Sequence, residues 1–480
     1  MKAPLWTLEA MVAATGAQPA GALPKAVTGI SIDSRTVKAG EAFFAIKGDT
    51  HDGHDFVAAA VKQGAALAVV ARSRRDDCGS DVPLLVVDDV MEAMRQVAGA
   101  ARRRSAAKIV AVTGSVGKTS TKEALALALC ATAETHASTA SFNNHWGVPL
   151  SLARMAETAR YGVFEIGMNH AGEITPLVRM VRPHVAIITA VEPVHLEHFR
   201  SLEAIADAKA EIFLGLDPGG AAVICRDSPH YGRLRRHAEA AGVSNIVSFG
   251  EHGEAETRLL TCVLHADCST VDALILGEPV TYKIGAPGRH LVMNSLAVLT
   301  TARLVGADLA RAAVALAQQV PAAGRGTRIT LDLPGGSALL IDESYNANPT
   351  SMRAALALLG QAAVGPGGRR IAVLGDMLEL GSAAEDLHRD LVDDVRQHGI
   401  DLVYCAGPLM AALWEALPSA RRGGYVRAAT ELEPLLAAAI RPGDAVMVKA
   451  SNGSRMGPLV KALVQRHSVT KAPEPAPAQG

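Results

Sequence analysis

Short apolar runs alternate with segments of helical spacing along most of this chain. The run at 109–113 is β-branched and is followed by a glycine-containing turn, and in the next segment Ala124, Leu125, Ala128 and Leu129 lie at intervals of three and four. Short β-branched runs are typical of buried parallel strands, and intervals of three and four are typical of a helix. The pattern therefore predicts strands that alternate with helices, an α/β protein with parallel sheets.

The predicted elements fall into three blocks, which we interpret as domains at 1–105, 106–322 and 323–467. A region rich in Pro and Ala at 468–480 has no apolar pattern, and we expect it to be disordered. A small β-rich patch is predicted at 258–282. The predicted strands are 27–32, 42–46, 84–87, 109–113, 162–166, 185–190, 221–225, 245–249, 338–341, 371–374, 402–405 and 445–449. The predicted helices include 56–63, 290–305, 350–359, 384–397, 410–417 and 458–466.

Composition narrows the classes of protein and partner. The 47 basic and 48 acidic residues leave a net charge of −1, and a general nucleic-acid binder usually has a basic excess, so no nucleic-acid partner is expected. The six cysteines are scattered, as in a protein with reduced thiols. No signal peptide or stretch of membrane-spanning length is evident. We expect a cytoplasmic monomer without a membrane partner.

A glycine-rich turn between the strand at 109–113 and the following helix carries the strongest chemical signal. It consists of Gly114, Ser115, Val116, Gly117, Lys118, Thr119 and Ser120. Backbone N–H groups of such a loop can cradle phosphates, the lysine can reach the β- and γ-phosphates, and the threonine hydroxyl can ligate Mg²⁺. The loop is shorter than the usual phosphate loop, but its strand–turn–helix context predicts binding of a nucleoside triphosphate.

Polar residues near the ends of later strands suggest a metal site. Glu165 lies at the end of a predicted strand, where a carboxylate can hold Mg²⁺ directly or through water, although a solvated acid is the alternative. His195 and His198 are three apart without a third ligand at comparable spacing, which argues against zinc. Lys209 lies in a predicted helix and, from spacing alone, is a surface lysine. The guanine-recognition motif Asn-Lys-x-Asp is absent, which disfavours a guanine-nucleotide switch.

Several motifs, in order along the chain, resemble those of the Mur ligases of peptidoglycan synthesis. Besides the phosphate loop, they lie at 33–35, 143–149, 165–170, 342–352 and 374–381. The resemblance implies three α/β domains: a small N-terminal domain for the UDP end of a precursor, a central P-loop ATPase domain with a parallel sheet, and a C-terminal Rossmann-like domain for the amine. The last two motifs look like those of members that add D-alanyl-D-alanine to UDP-N-acetylmuramoyl-tripeptide. ATP and Mg²⁺ are the implied cofactors.

The resemblance also implies roles for individual residues. It assigns catalysis to Lys118, His195 and Lys209, and magnesium binding to Thr119, Glu165, His195 and a carbamoylated Lys209. It assigns the ATP to the phosphate loop together with His290, Asn294, Arg325 and Asp342. It assigns the substrates to Ser34, Arg35, Lys47, Asn143, Asn144, Asn346 and Asn348.

Two positions depart from the family pattern, and two other functions stay open. Leu291 stands where many relatives have asparagine, and Ala450 replaces the glycine of a late Lys-Gly-Ser loop. The motif Asp-Asn-Pro-Arg of the diaminopimelate-adding ligase is absent. The alternatives are another amide ligase of the superfamily, either an earlier Mur ligase or a folylpolyglutamate-synthase-like enzyme, and a nucleotide-dependent switch or scaffold that forms no bond.

Overall fold

Three sheets, each covered by helices, organise the computed structural model. It describes residues 4–48, 50–79, 81–139, 141–193, 197–265, 267–321 and 324–467. The predicted metal ligand His195 and the predicted disordered tail at 468–480 lie outside these ranges. Within these ranges, no helix is both long and apolar enough to cross a membrane.

The first sheet has five strands and lies in the N-terminal part of the chain. The order of its strands is Gln18–Ala20, Leu84–Val87, Leu67–Ala71, Glu41–Phe44 and Gly29–Ser31. Adjacent strands are parallel, except that Gln18–Ala20 runs antiparallel to Leu84–Val87. Phe43 and Phe44 point to opposite faces and are both buried, so helices or neighbouring structure cover both sides. A two-stranded antiparallel ribbon, Trp6–Thr7 with Ala26–Val27, lies beside this sheet.

The central sheet has nine strands. The order of its strands is Glu278–Ile284, Ser269–Ile275, Thr257–Leu264, Asn245–Gly250, Ala221–Cys225, Val185–Ile188, Lys108–Thr113, Tyr161–Glu165 and Thr135–Ala137. The last seven of these strands are parallel to one another. The first two form an antiparallel hairpin at the edge. The strand Lys108–Thr113 is earliest in sequence and has later strands on both sides, so the crevice where ligands bind in open α/β sheets lies at its carboxyl end.

The third sheet has six strands. An antiparallel strand forms one edge of an otherwise parallel array, in the order Thr327–Leu333, Gly336–Glu343, Ala445–Lys449, Arg370–Gly375, Leu402–Ala406 and Arg422–Val426. Ile371 and Val373 belong to one apolar cluster, while Ala372 and Leu374 belong to the cluster on the other face. Both faces are therefore covered, as the continuous apolar runs predict.

The helices connect the strands of these sheets. The first part of the chain contains Leu8–Thr15, Val57–Gln63 and Val90–Arg104. The central part contains Lys118–Cys130, Gly147–Ala153, Ile174–Val181, Leu202–Ala210, Tyr231–Ala240, Arg289–Leu304 and Leu309–Ala315. The last part contains Pro349–Gly360, Ala384–Arg389, Leu391–Gln397, Ala411–Ala416, Leu432–Ala439 and Met456–His467.

Two predicted elements are wrong in detail. The predicted strand at 27–32 is two strands, because Ala26–Val27 pairs with the N-terminal ribbon and Gly29–Ser31 joins the five-stranded sheet. The predicted helix at 384–397 is two helices that meet at Asp390. The β-rich patch predicted at 258–282 is the antiparallel edge of the central sheet, so that sheet is not parallel throughout.

Direct contacts attach the five-stranded sheet to the central one. The Trp6 indole N–H donates to the Ala153 carbonyl at 2.9 Å, and the Arg104 guanidinium lies 3.5 Å from the centre of the Trp6 ring. Arg154 donates from Nε to the Ile30 carbonyl at 2.7 Å. One apolar cluster includes buried residues of both sheets, such as Phe44 and Ile109. The two sheets therefore share a core.

Candidate active site

The phosphate loop begins where the central strand Lys108–Thr113 ends. Gly114 has a φ of +153°, and a Cβ at this position would lie 1.9 Å from Thr189 Oγ1. The Thr189 hydroxyl donates to the Val116 carbonyl at 2.6 Å and thereby holds the loop against the neighbouring strand Val185–Ile188. Glycine is required at this position because no side chain fits between the loop and Thr189.

The loop passes directly into the helix Lys118–Cys130. Gly117 precedes this helix with a φ of +84°, and a Cβ there would lie 2.9 Å from the Asn294 amide nitrogen. Asn294 belongs to the helix Arg289–Leu304, so the two residues that the sequence assigns to the nucleotide lie against each other. The first N–H groups of the helix Lys118–Cys130 have no partner within the helix, and such groups bind anions.

Lys118 folds back over its own loop. Its ammonium donates to the Gly114 carbonyl at 2.6 Å and to the Ser115 carbonyl at 3.4 Å. Burial lowers the pKa of this ammonium, the Glu165 carboxylate raises it, and Arg325 lowers it. Arg325 and Glu165 therefore lie close enough to Lys118 to act on its charge.

Thr119, Glu165 and Asn143 form a hydrogen-bonded group beside the loop. The Thr119 hydroxyl donates to Glu165 Oε2 at 3.0 Å, and the Asn143 amide donates to Glu165 Oε1 at 2.7 Å. Glu165 is only 1% exposed and ends the strand Tyr161–Glu165, which is paired with the loop's own strand. This pairing explains why residues 46 positions apart in sequence have their oxygens in contact.

Lys209 is a buried lysine and not the surface lysine that spacing alone suggested. It is 2% exposed near the end of the helix Leu202–Ala210, and its ammonium makes no hydrogen bond to any residue in the described ranges. Burial lowers its pKa well below the usual value, and the charge of Lys118 lowers it further. A buried amine with this pKa is more readily neutral, which is the reactive form of a lysine.

A cavity of about 530 Å³ opens between the central sheet and the six-stranded sheet. Its central wall contains 115–120, 189–192, His290 and Asn294, and its opposite wall contains Arg325, Glu343, Asn346, Asn348, Thr350 and Lys449. Eleven of the residues that the sequence assigned to nucleotide or substrate thus face the same space: Ser115, Val116, Gly117, Lys118, Thr119, Ser120, His290, Asn294, Arg325, Asn346 and Asn348.

The wall from the six-stranded sheet is built around the start of the helix Pro349–Gly360. The Asn348 side chain accepts from the Ser351 N–H at 2.8 Å and caps this helix. The Arg325 guanidinium lies 4.3 Å from the centre of the Tyr345 ring. Lys449 donates from its ammonium to Glu343 Oε2 at 3.1 Å and to the Asn346 carbonyl at 3.0 Å. Polar groups of both signs therefore line this wall.

Besides Gly114, Asn143, Glu165 and Lys209, described above, five predicted site residues lie outside the lining of this cavity. Arg35 is exposed and makes two hydrogen bonds to the Asp33 carboxylate, at 2.9 and 2.7 Å. Ser34 and Lys47 also belong to the five-stranded part, where the backbone of Lys47 forms an isolated antiparallel β-bridge with that of Asp52. The two others use their side chains locally: Asn144 accepts from the Gly147 N–H at 2.9 Å, and Asp342 accepts from the Ser344 N–H at 3.1 Å.

Sequence reasoning missed several residues of the cavity. Glu343, the neighbour of Asp342, lines it, as do Lys449, Glu192 and Asp227. Lys449 could have been identified from the sequence, because it begins the late loop in which Ala450 replaces a glycine. Ala450 does not have a positive φ. Its methyl group lies so close to Gly375 that a Cβ on Gly375 would be only 2.8 Å from it. The loop therefore accommodates alanine, because the facing position is glycine.

The oxygens beside the phosphate loop fit a magnesium ion. Mg²⁺ prefers oxygen ligands and usually combines one or two protein ligands with water and phosphate oxygens. Thr119 and Glu165 offer such oxygens side by side. In the described ranges no three histidine, cysteine, aspartate or glutamate side chains come together as a metal site. Among the described residues, Thr119 and Glu165 therefore offer a magnesium ion two neighbouring protein oxygens.

Models of three protein families match successive parts of the chain. The Mur ligase family catalytic domain matches residues 26–128, the Mur ligase middle domain matches 112–302, and the Mur ligase glutamate ligase domain matches 324–452. The chain is 32% identical over 431 residues to the UDP-N-acetylmuramoyl-tripeptide–D-alanyl-D-alanine ligase of Rickettsia prowazekii, which covers 90% of this chain and 94% of that protein.

Solved structures give the same result. A crystal structure of MurF from Acinetobacter baumannii superposes with a TM-score of 0.81 at 30% identity, over 96% of this chain and 100% of that one. The MurF ligase of Thermotoga maritima, solved in complex with ADP, superposes with a TM-score of 0.73 at 25% identity, over 91% of this chain and 97% of that one. From its sequence, its three-part α/β fold and these matches, the chain belongs to the Mur ligase family.

Proposed function

We propose that this protein joins D-alanyl-D-alanine to UDP-N-acetylmuramoyl-tripeptide during peptidoglycan precursor synthesis, converting ATP to ADP and phosphate. The relative from Rickettsia prowazekii carries this activity in its name and aligns with 90% of the chain. The relative from Thermotoga maritima was solved with ADP, which supports an adenine nucleotide as the bound triphosphate. The observation that carries the proposal is the shared cavity, in which the phosphate loop faces Arg325, Asn346 and Asn348.

The reaction has two steps. A tripeptide carboxylate oxygen attacks the γ-phosphorus of ATP, a P–O bond forms, and the bond to the ADP oxygen breaks. The amine of D-alanyl-D-alanine then attacks the acyl carbon of the resulting acyl phosphate, forms the amide, loses a proton and expels phosphate. Catalysis of phosphoryl transfer depends mainly on positioning and charge stabilisation, and the acyl phosphate must be kept from water.

The phosphate loop would serve the first step. Its backbone N–H groups and the helix Lys118–Cys130 bind the phosphates, and the Lys118 ammonium offsets their charge. Arg325 contributes a second cation from the opposite wall. Asn294 and His290 lie on the same side as the loop and are assigned to the nucleoside, while Asp342 orders the turn beside Glu343.

Thr119, Glu165, His195 and a carbamoylated Lys209 are the proposed magnesium-binding residues. Bound Mg²⁺ would neutralise charge on the transferring phosphoryl group. The burial of Lys209 and the lowering of its pKa support a carbamate there, because only the neutral amine combines with carbon dioxide. The buried Glu165, held by Thr119 and Asn143, is rigid enough to act as a ligand.

The five-stranded part would hold the UDP end of the precursor through Ser34, Arg35 and Lys47. Asn143 and Asn144 would lie between the precursor and the triphosphate, and Asn346 and Asn348 near the nucleotide or the dipeptide. We keep domain boundaries at 1–105, 106–322 and 323–467, since each range contains one of the three main sheets.

A coupled assay of ADP formation tests the proposal. The purified protein is given ATP, Mg²⁺ and UDP-N-acetylmuramoyl-tripeptide, and ADP formation is compared with and without D-alanyl-D-alanine. Mass spectrometry identifies the product. We expect ADP formation to require the dipeptide and to equal the amount of pentapeptide product. ADP formation that ignores the dipeptide would exclude the proposal.

Substituted amines separate the proposal from the other ligases of the superfamily. L-Alanine, D-glutamate, L-glutamate and diaminopimelate replace the dipeptide in parallel reactions with their matching acceptors, including a folate for L-glutamate. An earlier Mur ligase or a folylpolyglutamate-synthase-like enzyme would form product with one of these and not with D-alanyl-D-alanine. A switch or scaffold would form none.

A further inference from the structure

Glu192 lies between the phosphate loop and the six-stranded part. Its backbone N–H donates to Ser115 Oγ at 2.9 Å, and Ser115 Oγ donates in return to the Glu192 carbonyl at 3.0 Å. This reciprocal pair fixes the backbone of Glu192 to the phosphate loop. Ser115 is buried, and Glu192 is partly buried.

The side chain of Glu192 reaches the opposite wall of the cavity. Its Oε2 accepts from the Thr350 hydroxyl at 2.8 Å. Thr350 lies in the first turn of the helix Pro349–Gly360, two residues after the capping residue Asn348. A carboxylate at the first turn of a helix is also favoured by the helix dipole. The hydrogen bond and the helix dipole thus both hold the carboxylate in this position.

A second contact crosses between the same two parts nearby. The Glu197 N–H donates to the Glu379 carbonyl at 3.3 Å, and Glu379 lies in the turn after the strand Arg370–Gly375. The chain segment that begins at the end of the strand Val185–Ile188 therefore touches the six-stranded part at both Glu192 and Glu197.

An acidic side chain that faces a triphosphate needs a metal ion or a hydrogen-bond donor beside it. Its charge repels phosphate, and repulsion between like charges grows where water is excluded. The hydrogen bond to Thr350 explains the Glu192 carboxylate better than contact with the nucleotide does. Through Thr350, the carboxylate holds the helix Pro349–Gly360, and the loop before this helix carries Asn346 and Asn348.

We propose that Glu192 is a positioning residue that couples the phosphate loop to the C-terminal domain. The bond to Thr350 forms when the two walls of the cavity approach, and it sets the distance between Ser115 and the start of the helix Pro349–Gly360. The bond thereby places the amine substrate against the acyl phosphate. This role rests on the proposed ligase reaction, since it concerns the second step of that reaction.

Four variants test the role by steady-state kinetics. Thr350→Val and Glu192→Ala each remove the bond, Thr350→Ser keeps the hydroxyl, and Glu192→Gln keeps an acceptor oxygen. A hydrogen bond to a charged group changes an equilibrium by about tenfold or more. We expect the two disruptive variants to lower kcat about tenfold. The two conservative variants should stay within about threefold of the wild type.

A double variant tests whether the two residues act through one bond. If they do, Glu192→Ala with Thr350→Val should lower kcat no further than either single change. Effects that multiply would overturn the proposal. Thr330→Val is the matched control, because Thr330 is exposed in the antiparallel edge strand of the same domain, and it should change kcat by less than about twofold.

Two further readouts separate this role from others. If Glu192 acts on domain position, the affinity for ADP, measured by calorimetry, should be unchanged in all variants. If Glu192→Gln instead lowers the ADP affinity and added Mg²⁺ restores that affinity, Glu192 is a metal ligand and the proposal is overturned. Hydrogen exchange at the start of the helix Pro349–Gly360 should rise in Thr350→Val with ADP, Mg²⁺ and UDP-N-acetylmuramoyl-tripeptide bound, and no rise would also overturn it. The exchange readout needs no turnover. A wild-type protein without dipeptide-dependent ADP formation would instead refute the proposed function.

Discussion

The Thr119 hydroxyl donates a 3.0 Å hydrogen bond to Glu165 Oε2, and this bond joins the phosphate loop to the neighbouring strand. Both oxygens lie where the phosphates of a bound nucleotide would have to be neutralised. The bond therefore orders two proposed magnesium ligands before any metal arrives. Ligands that are already oriented bind a metal with less loss of conformational freedom.

Glu165→Gln should raise the requirement for Mg²⁺. Glutamine can still accept the bond from Thr119, but it lacks the charge that attracts the ion. Loss of an orienting or ligating group in a metal site typically costs about 10- to 100-fold in metal affinity. Titration of ADP formation with Mg²⁺ measures the shift. The exposed Glu385 provides the control Glu385→Gln, and an equal Mg²⁺ requirement in all three proteins would contradict the assignment.

Lys118→Ala should abolish most of the activity without unfolding the protein. The ammonium is the one loop side chain that can offset phosphate charge, and removal of a group that stabilises developing charge costs about 10²- to 10³-fold in kcat. Lys461→Ala, at an exposed position of the last helix, is the control. Circular dichroism checks the fold of both. An active Lys118→Ala protein would remove the loop from the mechanism.

Gly114→Ala should destroy the nucleotide site through sterics. The added Cβ would lie 1.9 Å from Thr189 Oγ1, so the loop or the strand beside it has to move. Gly219→Ala is matched to it, because Gly219 also has a positive φ, +78°, but has no atom within 4 Å of an added Cβ. We expect at least about a tenfold loss of ADP affinity for Gly114→Ala and a cost of only about 1 kcal/mol in stability for Gly219→Ala. Similar behaviour of the two variants would be the contrary result.

Lys209 should carry a carbamate that depends on carbon dioxide and on pH. Activity should fall when carbonate is removed from the buffer and return on addition of bicarbonate. Burial and Lys118 lower the pKa of the amine, so its neutral form is available at lower pH than for an exposed lysine. As the pH drops through this lowered pKa, the amine is protonated and bicarbonate should no longer restore activity.

Chemical rescue provides the second test at this position. Lys209→Ala should be inactive and should regain part of its activity with short-chain carboxylic acids, which can place a carboxylate in the vacated space. Lys461→Ala should show no response to the same acids. Rescue by neutral alcohols of equal size would show that only volume matters, and would exclude the carbamate.

Short apolar runs allowed the strands to be predicted well. The predicted strands at 84–87, 221–225 and 445–449 coincide with Leu84–Val87, Ala221–Cys225 and Ala445–Lys449, because each is buried on both faces of a sheet and ends abruptly in polar residues. The edge strands Thr327–Leu333 and Arg422–Val426 were missed. Each is only partly buried and carries polar residues, so its sequence lacks a continuous apolar run.

The candidate site was predictable where one local motif carries it. The phosphate loop is such a motif, since its glycines and lysine act within seven consecutive residues. Lys209 could not be interpreted from spacing, because its burial depends on how the helix Leu202–Ala210 packs in the folded chain. Glu192 could not be assigned either. Its proposed role depends on the approach of two domains, and no short-range pattern records that approach.

Isotope transfer from the carboxylate to phosphate is the most direct test of the reaction. UDP-N-acetylmuramoyl-tripeptide is prepared with both oxygens of the reacting carboxylate as ¹⁸O, and the phosphate released in the presence of ATP and D-alanyl-D-alanine is analysed by mass spectrometry. Transfer through an acyl phosphate predicts one ¹⁸O atom in each phosphate and one in the new amide. Phosphate without ¹⁸O, formed together with the pentapeptide, would contradict phosphorylation of the carboxylate.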